Sequence, residues 1–492
     1  MPIDWDTVPD GSTVGDEMVE LMRELFPLPR SLSGDGVRRT LDVLGRDLPL
    51  DVIETPSGVE VFDWTVPREW TIRGAWIDAP GGERILDFGE STLQVLGYST
   101  PVDRVVGLDE LRAHVFTHSE DADLVPYRTS YWEEQWGFCM SRSQLDSLPE
   151  GDYRVVIDSE LTAGSLTSGE LLLEGSSDAE FLLSTYICHP ALANDNLSGV
   201  VLLWALGRAL AGQGLRHTFR LLWSPGTLGP LCWLDRNRDS LDRVHHGLAI
   251  SCVGDPGPLR YKRSRRADAT VDRAAAHVLG RHPDALVTSW APTGGDERQF
   301  CSPGFDLPVG TFSRTPHGLF PEYHSSADNL DLVTPGALAG SLRAVLEIID
   351  IVETNGRYRN LSPFGEPQLG RRGLYPSVPD GAGVETALLW VLNLSDGAND
   401  LIEIAERSGL SYSAVLAAAQ WLESHRLLEA NKPSPRVAPR RAPLAAAGPG
   451  CRRRASSPAR PSSRSRRRRR TPPRRSRRPG RGPRRLRRGL RA

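Results

Sequence analysis

Two histidines and two aspartates, His189, Asp195, Asp255 and His324, have the types and spacing best suited to chemistry in this chain. His189 follows the apolar run FLLSTYIC, and Asp195 comes six residues later in ANDNLSG, directly ahead of the helical stretch GVVLLWALGRALAG. Asp255 closes GLAISCVG, and His324 lies in EYHSSADN, after the run DLPVGTF. Each run reads as a buried strand, so three strands deliver donors at their carboxyl ends, where open α/β sheets gather ligands. Imidazole nitrogen and carboxylate oxygen are the donors of catalytic zinc, which keeps a position open. Zinc so held polarises a carbonyl and brings the pKa of water from about 15.7 toward about 7, and two ions about 3.5–4 Å apart clamp both oxygens. The chemistry is hydrolysis, with Asp195 the candidate bridging carboxylate. The plain alternatives are a turn for Asp255, which precedes Pro256 and Gly257, and helix-start duty for Asn196, Ser198 and Gly199.

Such donors need a scaffold. Beyond Asp152 the short apolar runs YRVVID, ELLLEG, FLLSTYIC, TFRLLWS, GLAISCVG and DLPVGTF are separated by helical patterns, clearest over 199–212, 267–279 and 335–354. This alternation predicts an α/β domain with a mostly parallel sheet covered by helices on both faces. Helical spacing over 14–28 and 36–47 predicts two opening helices. The alternating, tryptophan-rich stretch between them and the sheet predicts an inserted β-rich domain. From Glu385 the pattern is helix, turn, helix and a short strand at Leu427, which resembles a winged helix. The expected units are 1–57 (opening helices), 58–150 (β insert), 151–358 (α/β domain), 359–435 (winged helix) and 436–492 (tail).

Of 492 residues, 39% are hydrophobic and 25% charged, as in a soluble globular protein. No apolar run reaches the roughly 18 to 20 residues of a membrane helix, and the start MPIDWDTVPDGS is acidic, so a cytoplasmic protein with no membrane partner is expected. The six cysteines lack CxxC spacing and read as reduced core residues. The near balance of 59 basic against 62 acidic residues conceals a division: 436–492 holds 23 arginines and no acid. The body is therefore strongly acidic, which disfavours nucleic acid as its partner. The tail is too poor in apolar residues to order itself. With only two lysines in the chain, its Arg/Pro/Ser mixture also matches a frameshifted GC-rich reading frame.

The block ANDNLSG resembles the Asp-Asn/Asp-x-Ser-Gly segment of the zinc aminopeptidases of the bacterial leucyl aminopeptidase type, a family that includes the glutaminyl cyclases. YHSSADN resembles its Tyr-His-x-x-x-Asp segment, and the likeness covers about residues 150–350. The resemblance implies that Asp195 bridges two metals, that His324 is a ligand, and that His189 and Asp255 are the remaining ligands of one metal. CHPALANDNLSG, FDWTVPREW, YKRSRR, GGDERQFCSPGF and FPEYHSSADNL together look like a bacterial subfamily spanning roughly 15–430. Its members join an aminopeptidase-like domain, an inserted β domain and a C-terminal winged helix, and are often labelled as associated with polysaccharide biosynthesis.

Two departures stand out. Where the peptidases carry a glutamate pair, general base and second-metal ligand, this chain reads WSPGTLGP, with Pro225 and Gly226 in place. The orienting aspartate after the first histidine is also missing, since Pro190 and Ala191 follow His189. One zinc and two are thus equal expectations. Glu297 in GGDERQF is the candidate replacement base or ligand, while Asp296, Arg298 and Tyr323 are candidates to orient substrate, Arg298 through a substrate carboxylate. YKRSRR reads more simply as a solvated charged face than as an anion site, and Trp132 and Trp136 as core of the insert rather than a sugar platform.

The leading function is a zinc metallohydrolase of aminopeptidase type that cleaves an amide bond of a peptide or small acyl conjugate. The alternative is a non-catalytic metal-binding scaffold acting through its winged helix, supported by the missing glutamates. DNA binding through 411–425 has little base-reading chemistry behind it, so packing or self-association, through this helix or the β insert, is the simpler expectation.

Overall fold

The computed structural model describes residues 3–8, 11–374 and 381–431; the expected arginine-rich tail, 436–492, lies outside them. Its centre is an eight-stranded sheet: β1 Asp51–Pro56, β2 Ser165–Leu173, β3 Ser177–Tyr186, β4 His217–Ser224, β5 Val244–Ile250, β6 Arg260–Lys262, β7 Leu286–Thr288 and β8 Val309–Ser313. The spatial order is β1-β2-β4-β3-β5-β8-β6-β7. The middle four strands, β4, β3, β5 and β8, run parallel, as do β6 and β7. The sheet as a whole is mixed, because β1, β2 and β6 join it antiparallel.

Helices cover both faces. On β3, Phe181 and Leu183 enter the core shared with α1 (Gly11–Leu25), α2 (Asp35–Leu44), α3 (Ser198–Leu210), α5 (Thr270–Leu279) and α6 (Pro335–Thr354). Leu182 between them faces Trp233 and Leu234 of α4 (Leu228–Arg236) and Phe300. Burial on both sides is why this strand reads as a continuous apolar run. Helix α3 is buried nearly all round, which accounts for its almost unbroken apolar sequence.

The insert holds a four-stranded antiparallel sheet of Arg84–Asp87, Glu69–Asp78, Asp152–Thr162 and Val102–Gly107. This corrects the expected boundary at 150 and the assignment of YRVVID to the central sheet. Asp152–Thr162 pairs with Glu69–Asp78 and Val102–Gly107, burying Tyr153, Val155 and Ile157 in the insert's own core while Arg154, Asp158 and Glu160 stay exposed. Trp132 and Trp136 pack against that core, whereas Tyr131 is exposed.

At the C-terminal end, strands Arg357–Asn360, Asp396–Asp400 and Leu428–Ala430 form a small sheet around helices α7 (Gly381–Leu394), α8 (Leu401–Ser408) and α9 (Tyr412–Ser424). Asp400 caps α8 by accepting from Glu403 N–H, and Ser411 caps α9 by accepting from Ala414 N–H. The domain is docked: Arg273 of α5 pairs with Asp400 and Glu406, and the Tyr412 N–H donates to His277 Nε2 at 3.1 Å. Among the described residues no helix is long and apolar enough to cross a membrane.

Candidate metal centre

Because β3, β4, β5 and β8 are parallel, the loops after them meet at one edge of the sheet. The loop after β3 carries His189 and Asp195, that after β4 Gly226, that after β5 Cys252 and Asp255, and that after β8 His317, Tyr323 and His324. Asp328 anchors the Asp195 loop, its two carboxylate oxygens accepting from Asn194 N–H (2.6 Å) and Asp195 N–H (2.9 Å). Asn196 ties it to the end of β3 and to the loop after β5 through Thr185 Oγ1 and the Cys252 N–H. A Cβ on Gly199 would lie 2.6 Å from both Asn196 Oδ1 and Thr185 Oγ1, so this contact requires glycine.

The structure brings His189, Asp195 and His324 together, one donor atom of each lying within 4.8 Å of the others. Asp195 Oδ2 and His324 Nε2 face each other at 3.0 Å, an ion pair whenever the ring is protonated, and neither buried atom has a hydrogen-bond partner. Buried polar atoms are normally satisfied. Burial holds the His189 pKa down at about 4, keeping its ring neutral and able to donate a lone pair. Burial opposes the charge on Asp195, but the surrounding imidazoles, His189 foremost, pull its carboxyl well below the usual carboxylate range. An ionised, unpartnered carboxylate oxygen facing an unpartnered imidazole nitrogen, with a second neutral imidazole beside them, fits zinc.

The other sequence candidates divide. Asp255 does not join the group: its oxygens accept from Asn194 Nδ2 (3.0 Å), Gly257 N–H (2.8 Å) and Thr315 Oγ1 (2.7 Å). Tyr323 stacks on His324 with ring centroids 3.8 Å apart. Glu297 is buried and paired through Oε1 with Lys262, leaving Oε2 unpartnered. Gly294, at φ +124°, makes that pairing possible, since a Cβ there would lie 2.7 Å from Lys262 Nζ. Asp296 is buried, accepts from Thr227 N–H at 2.6 Å and leaves Oδ2 unpartnered; burial raises its carboxyl to about 7. Arg298 is exposed beside it.

Four residues escaped the sequence reading. Tyr186 and Cys252, at or just past strand ends, looked like core, yet the Tyr186 hydroxyl donates to Asp195 Oδ1 and Cys252 Sγ lies 3.9 Å from the same oxygen. His317 meets the Tyr186 hydroxyl at 2.6 Å. Tyr127 comes from the insert: its N–H donates to the His324 carbonyl at 2.8 Å, and its ring sits 5.0 Å from both His189 and His324. Only the strand-end positions of Tyr186 and Cys252 carried any signal.

The family model for a domain of unknown function, DUF4910, matches residues 19–355. The chain belongs to that family. In this DUF4910 protein the remaining described fold, residues 356–430, matches a winged helix-turn-helix model. A Clostridium acetobutylicum protein, provisionally named a polysaccharide biosynthesis protein with an aminopeptidase-like domain, is 43% identical over 86% of this chain and 98% of its own length. A crystal structure from the same organism, provisionally described as a peptidase, superposes with a TM-score of 0.82 at 43% identity, covering 86% of this chain and 97% of that one. A zinc aminopeptidase of Bacillus subtilis shares the fold at a TM-score of 0.52 and 12% identity, over 70% of this chain and 95% of its own. The DUF4910 chain thus has an aminopeptidase-like α/β domain followed by a winged helix.

Proposed function

We propose that this protein is a zinc-dependent hydrolase of aminopeptidase type, cleaving an amide bond of a peptide or small acyl conjugate. The observation that carries the reading is the opposed, unpartnered pair Asp195 Oδ2 and His324 Nε2 beside neutral His189. Zinc held by these three residues would polarise the scissile carbonyl and lower the pKa of water toward about 7. Asp328 fixes the backbone of Asp195, and Tyr323 stacks on and orients His324.

The base is assigned to Asp296 rather than Glu297. A side chain on Gly226, where the peptidase glutamates are missing, would project toward Asp296: its Cβ would lie 3.9 Å from Asp296 Oδ1 and 3.5 Å from Cys188 Sγ. Cys188 Sγ in turn lies 3.5 Å from His189 Nδ1. A carboxyl titrating near 7 suits proton transfer at neutral pH, while Glu297 is already paired with Lys262. Arg298, which is exposed, is read as the group that meets a substrate carboxylate.

The winged helix is read as a packing domain. In helix-turn-helix proteins the start of the second helix reads bases, and here Tyr412 at that start is buried against His277 and Thr354. The test is metal analysis of the purified full chain combined with hydrolysis of aminoacyl and N-acyl-sugar amides. Zinc with turnover supports the hydrolase, zinc without turnover on any substrate supports the scaffold, and no zinc removes both.

A further inference from the structure

Asp195 stands between two groups of donors that are not equivalent. With His189 and His324 it offers Oδ2, which has no hydrogen-bond partner. With Cys252 and His317 it forms a second converging group, again with donor atoms within 4.8 Å of one another. That second space is taken. The Tyr186 hydroxyl donates to Asp195 Oδ1 and meets His317 Nε2 at 2.6 Å, and Cys252 Sγ approaches the same Asp195 oxygen at 3.9 Å. Tyr186 is the last residue of β3, buried, and its ring packs 5.8 Å from that of His317, so the strand itself delivers the phenol to this position.

The hydroxyl fills the place of a cation there: its single proton faces the carboxylate, which leaves its oxygen to accept from His317 in the tautomer protonated at Nε2. The loop after β4 adds no acidic donor, because Gly226 stands where a carboxylate would be needed. We infer that the Tyr186 hydroxyl occupies the place of a second metal ion, so that the centre holds a single zinc and engages Asp195 through Oδ2 alone. The inference rests on the zinc reading above, and the two fail in different ways.

The experiment uses the full chain, stripped with chelator and titrated with zinc alone, with stoichiometry read by elemental analysis and native mass spectrometry. The wild type is expected to bind one equivalent. Tyr186→Phe frees Asp195 Oδ1, His317 Nε2 and Cys252 Sγ, and is expected to bind two. Loaded with cobalt(II), Tyr186→Phe is expected to gain a thiolate charge-transfer band in the near ultraviolet that the wild type lacks and that Tyr186→Phe/Cys252→Ser loses. Two equivalents in the wild type, the second lost in His317→Ala, overturn the inference while leaving the hydrolase intact. One equivalent in both wild type and Tyr186→Phe overturns the role of the hydroxyl. No zinc in the wild type overturns the metal reading and this inference with it. The wild-type stoichiometry decides the ion count even if the variant fails to fold.

Discussion

The central sheet carries a buried histidine–carboxylate pair at each end. At the amino-terminal end of β4, Glu353 of α6 accepts through Oε1 from the His217 N–H (3.0 Å) and meets His217 Nδ1 at 2.6 Å, while Oε2 accepts from the Arg216 N–H (2.5 Å). Both carboxylate oxygens are satisfied, and the pair ties a helix to a strand. At the carboxyl edge, Asp195 Oδ2 and His324 Nε2 lie 3.0 Å apart, but neither has a hydrogen-bond partner. Proximity of imidazole to carboxylate therefore does not mark a site. What marks it is hydrogen-bonding capacity left unspent in a buried place.

The comparison is broken most directly at Asp195. Asp195→Asn is expected to lower zinc affinity by more than the 10–100-fold that loss of an outer-shell partner costs, and to abolish turnover, as metal titration and the amide assay would record. Asp296→Asn is expected to lower kcat by about 10²–10⁴-fold with zinc content unchanged. In the wild type, kcat/KM should rise with pH through about 7 as the Asp296 carboxyl ionises, and this limb should vanish in the variant. Retention of the limb together with an unchanged kcat would assign the base elsewhere.

At the saturated end, Glu353→Ala is expected to cost about 3–5 kcal/mol of stability in a denaturant melt, because it strips a buried partner, while zinc stoichiometry stays the same. Burial opposes ionisation of Glu353, but the bonds from His217 and Arg216 hold its carboxyl below the usual range. Its contribution is therefore present above the ordinary carboxylate pKa and is lost as pH falls through the depressed folded value. The smallest effect belongs to Asp255→Asn, at about 1–3 kcal/mol with zinc retained, because its oxygens are spent on Asn194, Gly257 and Thr315. Loss of zinc in this variant would restore Asp255 to the ligand set.

The same distinction explains what the sequence could reveal. The runs ending in His189 and preceding Asp195 were legible because a strand buried on both faces leaves an unbroken apolar signature, and the parallel centre follows from it. Strands β1, β6 and β7 were not, since β1 is largely exposed at the edge and β6 runs into the charged YKRSRR. YRVVID misled because its apolar residues mimic a central strand, whereas alternation is plain only over the whole of Asp152–Thr162. At the site, CVGDPG suits a turn and a ligand equally, and only the partners of Asp255 tell them apart. Cys252 adopts φ +51° and so reaches Asp195, a backbone choice that no residue pattern announces.

The backbone pairing between the insert and the His324 loop has one further consequence. Tyr127 N–H bonds to the His324 carbonyl, Ser326 N–H to the Val125 carbonyl, and Pro126 bridges Ser325, so residues 125–127 behave as a borrowed edge for the loop that carries His324. The insert is accordingly not an interchangeable cassette. Exchanging it between relatives transplants one wall of the candidate metal centre, and the graft succeeds only where the incoming segment keeps this three-residue seam.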